Sequence, residues 1–278
     1  MPRSPNAQIA VDLYGQLAHA HGWTPANAWH GIARLLLTTN VWRSGIGWQP
    51  FHNVIVYRES NDFKQGAGGA PNTVLRRAEA LTEYLAGQLG VPRAEIDGHI
   101  GVYWHQPVIS TLQPHNLVGH AFRSLIVTIL ERFGDPGITY EEEVDPHGEF
   151  PGFHFATRSP DAKIDIVARR NGHLVALLSA RWRYRHDRVD LVDEALAYAP
   201  PARRQNHNCR LYAVIGEFAP NRLHKVLTNC PPAMPHAALS AAVHFAPELI
   251  WHGLHENGRT TCLRNLEWLI QQTNEWQY

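Results

Sequence analysis

The stretch Ala162 to Glu194, AKIDIVARRNGHLVALLSARWRYRHDRVDLVDE, constrains this chain more than any other. Two apolar runs, Ile164–Ala168 and Leu174–Ala180, flank Asn171-Gly172, a dipeptide suited to the positive-φ positions of a tight hairpin turn. The stretch reads as strand, turn, strand and the start of a helix. Asp165 breaks the first run, where an unpaired carboxylate is costly. Ser179-Ala180-Arg181 closes the second. An aspartate and a Ser-x-basic pair at the open end of one hairpin can place a carboxylate and a cation beside one phosphate.

Register decides whether these residues meet, because strand side chains alternate faces. A two-residue Asn171-Gly172 loop pairs Arg170 with His173, sets Asp165 opposite Leu178 and sends Ser179 to the other face. A three-residue Arg170-Asn171-Gly172 loop, with Gly172 as a left-handed bulge, sets Asp165 opposite Leu177, on the side of Ser179 and Arg181. A joint site requires the second register or an equivalent bulge.

Upstream, residues 6–20 and 24–39 read as helices, Phe51 to Tyr57 as a strand and Asn72 to Leu89 as a helix. Gly66 to Pro71 lacks the lysine and spacing of a phosphate-binding loop and reads as a connector. The Pro-, Gly- and aromatic-rich passage before His115 separates a mainly helical N-terminal lobe (residues 1–110) from a core (residues 111–278). In the core, Asn116–Phe133 has helical apolar spacing and Ile138–Val144 reads as a strand. After the hairpin come a helix from Asp187 to Tyr198 ending before Pro200-Pro201, a strand Arg210–Ile215, a helix Asn221–Leu227 and a strand Ala238–Phe245. The order αβββαβαβ predicts an α/β fold with a mixed sheet flanked by helices. A last helix, Cys262–Gln272, is either core or an oligomer contact.

The totals narrow the class. A hydrophobic content of 44% and nine tryptophans suit a packed globule of 278 residues. No apolar stretch approaches membrane-spanning length, and the start, Met-Pro-Arg-Ser-Pro, lacks a signal-peptide core. Three cysteines without metal-type spacing point to a reduced cytoplasm. Eighteen histidines are scattered, none in an HExxH-type frame. The net charge of zero does not advertise a nucleic-acid binder, but Arg181, Arg183, Arg185, Arg188, Arg203 and Arg204 crowd one segment while Glu141-Glu142-Glu143 lies elsewhere. The only lysines are Lys64, Lys163 and Lys225.

The ordered set Asp165, Ser179, Arg185, Asp187, Arg188 and Glu194, with Arg181 at the lysine position, resembles the PD-(D/E)XK nuclease superfamily. Within it, the set is similar to type II restriction endonucleases that read CCGG or CCNGG cores, over roughly residues 116–245. The resemblance implies a restriction-endonuclease-like αβββαβ core and Mg2+-dependent cutting of double-stranded DNA at a short CCGG-like palindrome. It also implies a homodimer or homotetramer within a cytoplasmic restriction-modification system. It assigns Asp165 and Glu194 to the metal, and it places Ser179 and Arg181 in the catalytic set. Asp161, in a literal Pro-Asp pair, competes with Asp165. Without the family pattern Glu194 reads as a solvent-facing helix residue.

This chain departs from the family pattern at two positions. Arg181 stands where lysine is usual, and arginine stays protonated, so it can hold a phosphate but is a poor proton acceptor. Lys163, two residues before Asp165, is the substitute catalytic cation or simply a surface lysine. Arg123 stands where relatives often carry glutamate. A catalytically silent, sequence-specific DNA-binding homologue is therefore the alternative. Arg185, Asp187 and Arg188 suit base edges, since guanidinium forks match guanine and aspartate accepts from cytosine. The same residues also read as a charged cluster capping a helix. Arg183, Arg203 and Arg204 suit phosphate contacts.

Overall fold

The computed structural model describes residues 3–36, 39–43, 47–51, 114–155, 162–182, 191–216, 226–247 and 263–278, together with residues 86, 87, 90–92, 94, 95, 99, 102, 103, 106, 108 and 223. Its centre is a six-stranded mixed sheet. The strands are β3 (Ile138–Val144), β4 (Ile164–Arg170), β5 (His173–Arg181), β6 (Arg210–Ile215), β7 (Ala241–His244) and β8 (Leu263–Arg264), adjacent in chain order. Pairing is antiparallel from β3 to β5 and parallel from β5 to β8. Helix α3 (Pro114–Phe133) precedes β3, a short helix α4 (Pro146–Glu149) follows it, and α5 (Leu191–Gln205) links the parallel β5 and β6. The α/β class and the mixed sheet match the sequence reading.

Helices α3 and α5 lie on opposite faces of the sheet. Phe122 of α3 meets Trp182 edge-on at 5.3 Å, and Trp182 stacks on Phe245 at 5.7 Å. The neighbouring side chains of β5, Ser179 and Arg181, point to the α5 side, where both bond Glu194. A Cβ at Gly216 would sit 2.6 Å from the Trp182 ring and 2.9 Å from its carbonyl oxygen. Gly216→Ala is expected to destabilise the fold by about 1–3 kcal/mol through overpacking, read as a lowered thermal midpoint. An unchanged midpoint would show that Trp182 moves freely.

Near the N-terminus the elements follow the sequence reading only in part. Helix α1 (Pro5–His21) lies along α3, and α2 (His30–Leu36) is shorter than the predicted 24–39. A hairpin of β1 (Thr39–Arg43) and β2 (Gly47–Phe51) follows; of the expected strand Phe51–Tyr57 only Phe51 lies among the described residues, at the end of β2. The expected helix Asn72–Leu89 lies almost wholly outside the described residues. Buried side chains of α1 and α2 join the same apolar cluster as the sheet.

Helix α5 runs through Pro200 and Pro201 rather than stopping before them. A proline removes an intrahelical hydrogen bond, yet burial of Tyr198, Ala199, Pro201 and Ala202 continues the apolar face beyond the pair. Asn206 then donates to the carbonyls of Leu174 and Gln277, tying the helix end to β5 and the C-terminal tail. The last helix, α6 (Leu266–Gln272), is core: Leu266, Leu269 and Ile270 are buried, and Trp276 beyond it donates to Tyr212 Oη at 3.0 Å. No helix among the described residues is long and apolar enough to cross a membrane.

Candidate functional site

The hairpin resolves its own register problem. Arg170 pairs with His173 across Asn171 (φ 52°) and Gly172 (φ 81°), the two-residue turn that alone would part Asp165 from Ser179. A bulge follows, since Arg169 faces Leu174 but Ala168 faces Ala176, leaving Val175 as the extra residue. The shift brings Ile166 opposite Leu178, and one step further Asp165 stands across from Ser179. Asp165, Ser179 and Arg181 thus share a face, by the equivalent bulge rather than the three-residue loop.

Asp165 Oδ2 accepts from the Ala180 N–H at 2.9 Å, and Arg181 Nη1 donates to Asp165 Oδ1 at 2.9 Å. The other arm, Arg181 Nη2, donates to Glu194 Oε1 at 2.5 Å, while Ser179 Oγ donates to Glu194 Oε2 at 2.8 Å. Asp165 and Glu194 are each only 6% exposed, so Glu194 is not a solvent-facing helix residue. Desolvation opposes the Arg181 charge, but the two carboxylates outweigh it and raise its pKa above the ordinary value. Arg181 is therefore a fixed cation and cannot act as a base. Burial, reinforced by Asp165, pushes the Glu194 pKa up against the opposing pull of Arg181 and Ser179.

Lys163 does not join this cluster. It stands before β4 and across from Asp145, just past the Val144–Ile164 pair, and its ammonium meets Asp145 Oδ1 at 3.3 Å on the surface. The surface-lysine reading holds for this arrangement, and Arg181 is the cation beside Asp165.

Arg123, which the sequence reading marked as a departure from the family pattern, and Glu142 and Glu143, which it left apart, complete the site. Arg123 of α3 lies with Nη1 4.0 Å from Asp165 Oδ1. Its Nε donates to Glu142 Oε2 at 3.2 Å, and its Nη2 lies 3.0 Å from Glu143 Oε1. Glu142 also accepts from Ser124 Oγ at 2.5 Å and Arg3 Nε at 2.8 Å. Burial raises the Glu142 pKa, but these hydrogen bonds prevail and hold it below the ordinary range. Two members of the acidic run Glu141-Glu142-Glu143 therefore lie beside Asp165, not elsewhere, because β3 pairs with β4; Glu141 bonds Arg169. The only signal in the sequence was a charged strand directly preceding the hairpin.

The remaining predicted residues fall elsewhere. Arg203 and Arg204 lie at the C-terminal end of α5, roughly 13 Å along the helix from Glu194. Arg203 donates to the carbonyls of Ala237 and Ala238, and Arg204 lies over the Phe153 ring at 5.3 Å. Neither meets the carboxylate cluster. Asp161, Arg183, Arg185, Asp187 and Arg188 lie outside the described residues.

Among the described residues, no three His, Cys, Asp or Glu side chains are grouped to hold a metal. The donor chemistry nevertheless fits Mg2+, which needs only one or two carboxylates beside water and substrate phosphate oxygens. Asp165 and Glu194, from different elements, converge on one cationic group, here the Arg181 guanidinium.

Comparison with family models, curated proteins and solved structures found no match for this chain.

Proposed function

We propose that this protein is a type II restriction endonuclease of the PD-(D/E)XK kind, cutting double-stranded DNA at a short palindrome with a CCGG-like core. The observation that carries the reading is the convergence of Asp165, Ser179, Arg181 and Glu194. A bulge and a helix bring them together from across thirty residues of sequence, in the order that the resemblance requires. Apart from the one-turn helix α4 between β3 and β4, the succession α3-β3-β4-β5-α5-β6 is that of the αβββαβ core of that superfamily. The reading places the protein in the cytoplasm, where DNA is accessible and thiols stay reduced.

In this account Asp165 and Glu194 would hold Mg2+, which would activate a water and neutralise phosphate charge. The Ala180 N–H fixes one oxygen of Asp165, and Ser179 fixes one oxygen of Glu194. Arg181 holds the phosphate as a planar, permanently charged fork and takes no proton. Arg185, Asp187 and Arg188 read bases from the segment directly after β5. Arg185→Ala or Asp187→Ala is expected to lose about 1–3 kcal/mol of discrimination between cognate and altered duplexes. Competition binding measures this, and equal weakening on every sequence would demote these residues to phosphate contacts.

A second reading keeps the fold and the DNA recognition but not the cutting. It is favoured by one observation: both carboxylates are already bound to Arg181, a side chain that cannot lose its proton. Arg181→Lys separates the two readings, because a silent protein with an intact carboxylate pair gains cleavage. A palindromic site calls for a two-fold reader, so a homodimer, alone or paired into a tetramer, is expected by light scattering. A monomer bound one-to-one to a symmetric duplex would contradict that assembly. The proposal as a whole is tested by selecting bound duplexes from a random pool. Enrichment of a palindrome with a CCGG-like core supports it, and unselective retention overturns it.

A further inference from the structure

Asp165 faces two guanidinium groups rather than one. Its Oδ1 takes Arg181 Nη1 at 2.9 Å and has Arg123 Nη1 at 4.0 Å. A carboxylate shared between two cations is the arrangement found in two-ion phosphodiester hydrolysis, where paired cations clamp attacking and leaving oxygens. The Arg123 side chain is only 10% exposed and is enclosed by Glu142, Glu143 and Asp165, with His120 Nδ1 accepting from its Nη2 at 3.0 Å.

The backbone departs from a regular strand at this point. Glu143 has φ 56°, and the β3–β4 pairing skips it at the position opposite Asp165. A regular strand would send Glu142 and Glu143 to opposite faces, yet both reach the one guanidinium. A left-handed glutamate is strained and persists only where its surroundings hold it. Here the strain coincides with the closing of a carboxylate cage around Arg123.

Resting on the reading of Asp165 and Glu194 as holders of a divalent ion, we propose that Arg123 is a built-in cation in the place of a second one. The site then takes a single divalent ion per chain. Asp165 Oδ1 already faces the Arg181 and Arg123 guanidinium groups, so the position that a second divalent ion would share with it is held by a fixed side-chain cation. Held in place by Glu142, Glu143 and Asp165, Arg123 can steady an oxyanion without metal.

The test is a Mn2+ titration of the full chain without DNA, counting bound ions by calorimetry and by loss of the free-ion electron paramagnetic resonance signal. The wild type is expected to bind one Mn2+. Arg123→Gln uncovers the cage and is expected to bind two, while Arg123→Lys keeps a cation there and stays at one. Two ions in the wild type overturn the proposal, as does Arg123→Gln remaining at one. A misfolded Arg123→Gln would bind fewer ions than wild type, the opposite of the expected change, and also counts against it. No Mn2+ in any of the three chains overturns the reading of Asp165 and Glu194 as a metal site, and this inference with it.

Discussion

Asp165→Ala is expected to abolish DNA cleavage while leaving sequence-specific binding largely intact. The substitution removes one of two carboxylates able to hold the ion, whereas the residues assigned to base reading lie beyond β5. Loss of activity by at least about 10²–10³-fold is the scale for deleting a group that stabilises transition-state charge. Asp165 is buried and accepts the Ala180 N–H, so alanine also strands a backbone donor at a cost of about 1–3 kcal/mol. Asp165→Asn preserves that acceptor and separates chemistry from folding. Cleavage by a fixed amount of each variant, beside mobility-shift binding, checks both halves. Strong residual cutting by Asp165→Asn would move the metal role to Asp161.

Arg181→Ala is expected to damage both activity and stability, and Lys163→Ala to do neither. Arg181 joins Asp165 and Glu194, so its removal leaves buried Glu194 without its cation and Asp165 with only Arg123, at 4.0 Å. Breaking a buried ion pair from one side costs about 3–5 kcal/mol. The same deletion removes the phosphate-holding fork, again on the 10²–10³-fold scale. Lys163 bonds Asp145 in an exposed pair, worth about 0–1 kcal/mol. Thermal melts and cleavage rates of the two variants read the contrast directly. Parental behaviour of Arg181→Ala would mean that neither cation is catalytic and that the site lies elsewhere.

The contrast between these two cations was not legible in the sequence, and the reason is geometric. Spacing put Lys163 on the face of Asp165, but its long chain follows the nearest carboxylate, and Asp145, the N-cap of α4 just past β3, supplies it at that strand end. The hairpin itself was plain from Asn171-Gly172 between two apolar runs. Its bulge at Val175 was hidden because Leu174 to Leu178 are all buried, and a strand covered on both faces carries no alternation that reveals phase. The demand that Asp165 and Ser179 share a face anticipated a register shift without locating it. Helix α3 and strands β3 and β6 stood out through clear periodicity or clean boundaries. Helix α5 did not, because local rules stop a helix at Pro200 while packing of Tyr198, Ala199 and Ala202 carries it on. The cage around Arg123 was the least visible part: Glu142 and Glu143 are some twenty residues from either partner, and only the β3–β4 pairing with α3 above it joins them.

The central claim is that Asp165, Ser179, Arg181 and Glu194 form a hydrolytic site for duplex DNA. Its most direct test is incubation of unmethylated phage DNA with the protein and Mg2+, resolved by electrophoresis. The account predicts discrete fragments whose ends share one short palindrome, with no fragments when the metal is chelated or when Asp165→Asn replaces the wild type. Intact DNA with the wild type in Mg2+ or Mn2+, and equally intact DNA with Arg181→Lys, would contradict it.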